Sequence, residues 1–285
     1  MNIGADTSLY AIFGHPVAHS LSPLMHNASF RALGLNSVYL AFDILPENSD
    51  AAAYAIRVLG IKGVNITIPH KERIIPFLDE LSQEARLIGA VNTVKNEDGR
   101  LIGYNTDVGG FLRATREDLG FEPRASRAAV LGAGGAARAV LSALCMQGAS
   151  RIFVLNRTYE RAKGLASEFK ESFKKVSIYS VPLSEEDEVR DCLSGSDILV
   201  NATSAGMEGT GSVELPIEVL PKGAVVYDLV YKPHKTPLLW EAQELGYRAS
   251  GGLSMLIYQG AESFKIWTGL DAPIDVIRSV LSTPF

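Results

Sequence analysis

Asn65, Thr67 and Lys71 place an amide, a hydroxyl and an amine close together in the run Asn-Ile-Thr-Ile-Pro-His-Lys. Val64, Ile66 and Ile68 alternate with Asn65, Thr67 and Pro69. That alternation is the period of a β-strand, so Asn65 and Thr67 are expected on one face, with Lys71 in phase at the strand's end. Pro69 has no N–H to donate and is expected to end the ladder. An amide, a hydroxyl and an amine together suit a small polyhydroxylated ligand and a proton transfer. They do not suit a packed core.

A second chemical feature lies further along. The apolar run Arg127–Leu131 leads into Gly132, Ala133, Gly134, Gly135, Ala136 and Ala137, then into a predicted helix through Gln147 with Gly148 as its stop. Ile152–Leu155 is the next predicted strand. A glycine loop between a strand and a helix is the context of a dinucleotide fingerprint. Gly132 allows the tight turn, Gly134 lets backbone N–H groups approach a pyrophosphate, and Ala137 stands where helix packs on strand. The helix N-terminus favours the phosphates. After the second strand come Asn156, Arg157 and Thr158, with Arg161 one turn on. The carboxylate that NAD binders use for the ribose hydroxyl is missing there. Two guanidinium groups suit a 2′-phosphate instead, so the cofactor is expected to be NADP.

These residues need a scaffold, and the pattern supplies one. A strand at Leu9–Phe13 is followed by a helix to about Leu33, with Ser22 expected as its N-cap and Pro23 in its first turn. Val38–Asp43, a helix from about Ser49 to Leu59, and the strand carrying Asn65 come next. A helix near Ser82–Ile88 precedes a hairpin that turns at Asp98-Gly99. Alternation of strand and helix implies an α/β domain with a mostly parallel sheet. The connection Phe121–Ser126 leads to the second α/β unit, in which two further strands end at Asn201-Ala202-Thr203-Ser204-Ala205-Gly206-Met207 and at Leu229-Val230-Tyr231. Ligands of open α/β sheets bind beyond the carboxyl ends of strands, so both tails are expected beside the nicotinamide.

The bulk properties bound the possibilities. A chain of 285 residues with 47% hydrophobic content is long enough for two cores. A formal net charge of −5 argues against nucleic acid or an anionic membrane as partner. No apolar stretch approaches the roughly 20 residues of a membrane span, and no signal peptide is visible. Cys145 and Cys192 are expected to be free thiols in a reducing, cytoplasmic setting. The five histidines show no metal-ligand spacing.

Taken together, the motifs resemble the shikimate dehydrogenase family over essentially the whole chain. They run from Ser20-Leu-Ser22-Pro23 through Asn65–Lys71, Gly89-Ala-Val-Asn92-Thr, Gly103-Tyr-Asn105-Thr-Asp107 and Gly132–Arg138. Asn156-Arg157-Thr158, Asn201–Met207, Asp228-Leu-Val-Tyr231 and Gly252–Ala261 complete the set. The resemblance implies reversible NADPH-dependent reduction of 3-dehydroshikimate to shikimate in aromatic amino-acid biosynthesis. It implies that Ser20 and Ser22 hold the substrate carboxylate with Tyr231 near it. Asn65, Thr67, Asn92, Asp107 and Gln259 would bind ring hydroxyls. Thr203, Ser204, Met207, Leu229, Gly252 and Met255 would join the glycine loop and Asn156–Arg161 around NADP. The implied domains are 1–107 with 252–285 for substrate and a Rossmann-type 108–251 for cofactor, the last helix folding back onto the first domain. Met255 and Gln259 stand i, i+4 on that helix and share a face. Leu253, Leu256, Ala261, Phe264 and Trp267 mark the helix as largely buried. The extra length over compact members reads as loop and helix extension near Phe169–Ser184.

Ketone reduction needs hydride on carbon and a proton on the developing alkoxide. Lys71, as ammonium, is expected to give that proton and to offset the oxygen's charge. Asp107 is expected to orient Lys71 and accept a hydrogen bond from a substrate hydroxyl. Oxidation needs neutral lysine and should rise at alkaline pH. A quinate/shikimate dehydrogenase using NAD or NADP is the nearest alternative, and a non-catalytic sensor of shikimate-type ligands is the alternative from another class. The chain is expected to be a monomer or homodimer.

Overall fold

The computed structural model describes residues 3–207 and 209–282. The chain divides into two compact units, one of Met1–Thr106 with Ile257–Phe285 and one of Asp107–Leu256.

In the first unit the elements run β1 (Ser8–Gly14), α1 (Ser22–Ala32), β2 (Ser37–Asp43), α2 (Ser49–Val58) and β3 (Gly63–Ile66). α3 (His70–Arg73), β4 (Glu80–Leu81), α4 (Gln83–Ile88), β5 (Thr93–Glu97) and β6 (Arg100–Tyr104) follow. Its sheet has the order β2-β1-β3-β5-β6-β4. β1 pairs in parallel with both β2 and β3, while β3–β5 and β5–β6 are antiparallel. Successive side chains of β1 point to opposite faces, so the sheet needs a cover on each. Ala11 and Phe13 join Ile56, Val64, Ile66, Val94 and Leu101 in one core. Tyr10 and Ile12 join Phe30, Tyr39, Phe264 and Trp267 in the other. The β5–β6 hairpin turns through Asp98 and Gly99, both at positive φ, as the Asp-Gly pair predicts. Ser82 caps α4 by accepting from the Ala85 N–H at 3.1 Å, and Gly89 closes it in the left-handed conformation.

The second unit contains α5 (Asp107–Leu119), β7 (Arg127–Leu131), α6 (Gly135–Met146), β8 (Arg151–Asn156), α7 (Tyr159–Ser172) and β9 (Ser177–Pro182). α8 (Glu186–Ser194), β10 (Ile198–Asn201), β11 (Val225–Asp228), α9 (Pro237–Glu244) and β12 (Arg248–Gly251) complete it. All its strands are parallel in the order β12-β11-β10-β7-β8-β9, a Rossmann-type sheet with β7 at the centre. α10 (Leu253–Thr268) begins in this unit and ends in the first, to which α11 (Ile274–Leu281) also belongs. Phe264 and Trp267 of α10 are buried in the first unit's core, and the Trp267 indole donates to the Val94 carbonyl at 3.0 Å.

Three local expectations change. β3 stops at Ile66, and Lys71 lies on α3 rather than in strand phase. The chain turns after Thr67, whose carbonyl accepts from the His70 N–H at 2.8 Å, and Ile68 points outward. α1 begins one residue earlier than the cap pattern suggests. Leu21 is its N-cap and Ser22 is its first residue, so the Ser22 hydroxyl does not cap. The stretch 169–184 is no mere extension, because it holds β9, and β12 likewise adds a strand to the expected four. Both are edge strands, and β12, Arg-Ala-Ser-Gly, has a single apolar residue, which weakens its signal. Cys145 and Cys192 are free and buried, and burial pushes both thiols up to about 12. Among the described residues no helix is long and apolar enough to cross a membrane.

His26 of α1 is buried in an aromatic box, stacked on Tyr39 at 4.5 Å and 20° and flanked by Trp267 and Phe264. Neither ring nitrogen has a hydrogen-bond partner of ordinary length. Burial lowers its pKa to about 3, with the neighbouring Asn65 acting in the opposite sense. The unfolded chain therefore binds a proton at this histidine below about pH 6.5 that the native chain refuses. Stability is lost as pH falls through that window. Between pH 7 and pH 5 this group alone should cost about 2 kcal/mol. Chemical denaturation of the wild type and of His26→Phe at both pH values checks this. The gap between the two proteins should change by that amount, and parallel pH profiles would contradict it.

Candidate functional site

Each unit gathers polar side chains at the carboxyl ends of its parallel strands. In the first unit the centre is Asn65, which is buried on β3 opposite Thr93 of β5. Its Nδ2 donates toward the Asn92 carbonyl at 3.2 Å, the Thr93 hydroxyl at 3.3 Å and the Ser263 hydroxyl at 3.1 Å. Its Oδ1 accepts from the Tyr39 phenol at 2.6 Å. Asn92 is equally engaged. Its Nδ2 donates to Thr106 Oγ1 at 2.9 Å and to Gln259 Oε1 at 3.2 Å, and its Oδ1 accepts from the Thr106 N–H at 2.8 Å. Ser263 donates to the Gln259 carbonyl one turn back at 3.0 Å and lies 2.7 Å from Thr93 Oγ1 and 3.2 Å from Thr106 Oγ1. Asn65, Asn92 and Gln259, predicted far apart in sequence, therefore belong to one network.

Ser20 and Ser22 are neighbours, with Ser20 Oγ accepting from the Ser22 N–H at 3.3 Å. Ser22 is buried at the start of α1, while Ser20 and Thr67 are half-buried. Lys71 is half-buried on α3, and its carbonyl accepts from the Val91 N–H at 2.8 Å, fixing α3 to the segment before Asn92. His70 beside it is structural. Its ring lies 2.9 Å from the Ser49 hydroxyl and 2.7 Å from the Ile44 carbonyl, which demands a donor, so Nε2 carries the hydrogen. Sequence reasoning passed over Tyr39 and Ser263, which occupy ordinary positions of a strand and a helix pattern, and Thr106, which lies in the short connection between β6 and α5.

In the second unit Gly132 has φ +119, and a Cβ there would lie 3.0 Å from the Ala202 carbonyl oxygen. Gly134 opens α6, and a Cβ there would meet nothing within 4 Å. Open space over the first-turn N–H groups of a helix is what a phosphate group requires. Ala133, Gly135 and Ala136 complete this loop, and Ala137 is fully buried against the sheet. At the end of β8, Asn156 donates to the Thr158 carbonyl at 2.9 Å. Arg157 and Arg161 are exposed, and among the described residues neither enters an ion pair. These residues fit a dinucleotide carrying an extra phosphate.

The strand ends of β10 and β11 are held by a buried carboxylate that the sequence did not single out. Asp228 accepts from Asn201 Nδ2 at 2.9 Å, from the Val230 N–H at 3.0 Å and from the Thr236 hydroxyl at 2.6 Å. Burial raises its pKa above the usual carboxylate value, against these three bonds. Asn201 Oδ1 in turn accepts from the N–H and hydroxyl of Thr203, shaping the turn that carries Thr203, Ser204 and Met207. Tyr231 is half-buried, and burial raises its phenol. Gly252 packs against Leu229 so closely that any Cβ would run into the Leu229 carbonyl, while its N–H donates to the Val230 carbonyl at 3.1 Å. Met255, three residues into α10, is buried.

Comparison with known proteins places the chain among shikimate dehydrogenases. Three family models match, described as the shikimate dehydrogenase substrate binding domain (residues 12–94), shikimate/quinate 5-dehydrogenase (116–208) and the shikimate 5′-dehydrogenase C-terminal domain (252–281). A Methanopyrus kandleri protein named shikimate dehydrogenase (NADP(+)) is 46% identical, covering 99% of this chain and 97% of its own. The Thermus thermophilus shikimate 5-dehydrogenase, solved with NADP(H) and shikimate, is 41% identical with a TM-score of 0.83, covering 96% of this chain and 98% of its own. The Listeria monocytogenes shikimate 5-dehydrogenase, solved with shikimate and NAD, is 36% identical with a TM-score of 0.89, covering 99% and 98%.

The two glycines should separate folding from binding. Gly134→Ala should leave the melting temperature nearly unchanged and weaken dinucleotide binding by tenfold or more, on the order of one lost charge-assisted contact. Gly252→Ala should lower the melting temperature by several degrees, on the order of 1–3 kcal/mol for overpacking. Thermal melts and titration calorimetry read both. A Gly134→Ala protein that binds like the wild type would contradict the phosphate assignment.

Proposed function

The chain belongs to the shikimate dehydrogenase family, and from that membership we propose that it reversibly reduces 3-dehydroshikimate to shikimate with NADPH, in aromatic amino-acid biosynthesis. The observation that carries the reading is the convergence of carboxamides and hydroxyls from separate segments, Asn65, Asn92, Thr106 and Gln259, beside the carboxyl end of β3. A hydrophobic core has no use for such a set. A small ring bearing several hydroxyls does.

In this reading Ser20 and Ser22 hold the substrate carboxylate, with Tyr231 serving the same end. Asn65, Thr67, Asn92, Asp107 and Gln259 select the ring hydroxyls. The second unit binds the cofactor through Gly132–Ala136, Asn156, Arg157, Thr158 and Arg161, with Thr203, Ser204, Met207, Leu229, Gly252 and Met255 around the nicotinamide. Bound NADPH supplies a hydride to the carbonyl carbon. Lys71, as ammonium, supplies a proton to the carbonyl oxygen and stabilises the charge that develops there. Asp107 orients Lys71. NADP is favoured over NAD because the end of β8 offers guanidinium groups and no carboxylate. Two buried free thiols suit a cytoplasmic enzyme, working as a monomer or homodimer.

Two substitutions test the assignment. Lys71→Met should lower kcat by roughly a hundredfold or more while changing the KM for shikimate little, the pattern of a lost proton donor. A variant with near-normal kcat would sink that role. Arg157→Ala should raise the KM for NADPH at least about tenfold and leave that for NADH unchanged. Equal effects on both cofactors would remove the 2′-phosphate contact.

A further inference from the structure

We propose that Tyr39 is a positioning residue of the substrate site, whose phenolic hydroxyl sets the orientation of Asn65. The inference rests on the proposed function, since it ties Tyr39 to a residue that the reading gives to substrate.

Tyr39 is the third residue of β2 and is fully buried, among the largest such side chains of the protein. Its hydroxyl donates to Asn65 Oδ1 at 2.6 Å. Burial raises its pKa well above the usual phenol value, so the proton stays in place and the oxygen remains a donor. A phenol has one proton to give, and this one goes to Asn65. Together with the Asn92 carbonyl, which can only accept, that bond fixes which way the carboxamide faces. With Oδ1 held by Tyr39, Nδ2 must face the Asn92 carbonyl, Thr93 and Ser263, all of which can accept. A flipped amide would set its oxygen against the Asn92 carbonyl oxygen and forfeit the phenol's donation to Oδ1.

The ring itself cannot turn aside. His26 stacks on it at 4.5 Å, and Trp267 lies 6.2 Å from its centroid at 40°. The Tyr39 backbone is pinned as well, its N–H donating to Asn27 Oδ1 at 2.9 Å and its carbonyl accepting from Asn27 Nδ2 at 2.8 Å. A tyrosine needed only for packing would use its ring and leave the hydroxyl without consequence for the substrate.

Tyr39→Phe keeps the ring and removes the oxygen. The KM for shikimate should rise about tenfold, the scale of one neutral hydrogen bond that leaves its partner unsatisfied. The KM for NADP should stay within about twofold and kcat within about threefold. In an Asn65→Ala background the same substitution should add less than about twofold to the shikimate KM, because Tyr39 then has no carboxamide to orient. Should Tyr39→Phe fail to fold, Ser263→Ala, which removes an acceptor on the far side of the same carboxamide, must give the same selective rise. An unchanged shikimate KM in folded Tyr39→Phe overturns the inference, as does an equal rise in both KM values, additivity with Asn65→Ala, or failure of both variants to fold. A wild-type enzyme that does not oxidise shikimate would instead overturn the proposed function.

Discussion

A carboxamide taken out of water needs a partner for each of its protons and for its oxygen, and the arrangement of this protein follows from meeting that demand at a few buried asparagines. Leaving one such group unmatched costs about 1–3 kcal/mol, a large share of a domain's net stability. Asn65 and Asn92 meet the demand in the first unit by drawing in side chains from β2, β5, the segment before α5, and α10. Asn201 meets it in the second unit by binding the Asp228 carboxylate and the Thr203 turn. In both units the satisfied network lies at the carboxyl ends of parallel strands, where open α/β sheets place their ligands. The hydrogen bonds that stabilise the fold therefore also fix the geometry of the candidate site.

The same economy governs the backbone. A pyrophosphate can approach a helix N-terminus only where side chains are absent, and Gly134 leaves that space clear. Gly252 serves a different purpose, letting the entry to α10 lie directly on Leu229. Asp118 reinforces that junction by accepting from the hydroxyls of Ser250 and Ser254 at 3.0 and 3.1 Å. α10 then carries Gln259 and Ser263 into the first unit's network, so one helix holds residues assigned to cofactor and to substrate.

Much of this was legible in the sequence, for identifiable reasons. The Asp98-Gly99 turn and the glycine loop are local signals, and each appears where its spacing predicts. The misplacements are equally physical. Period-two alternation carried Lys71 along with the strand, whereas the turn at Thr67 starts a new helix. A Ser-Pro pair read as a cap, yet the helix began one residue earlier and freed the Ser22 hydroxyl. Edge strand β12 escaped because an edge needs little apolar content. Tyr39 and Ser263 could not be found at all by pattern, since Ser263 is 198 residues from Asn65 and both sit at regular core positions. Long-range polar networks leave no periodicity to read.

The activity proposed for the chain is reduction of a hydroxylated cyclic ketone with a phosphorylated nicotinamide cofactor. Following the nicotinamide absorbance band after 3-dehydroshikimate is added to the protein tests it most directly, with NADPH and NADH run side by side. The account predicts rapid loss of absorbance with NADPH and much slower loss with NADH. No loss with either cofactor, or a faster reaction with NADH, would contradict it.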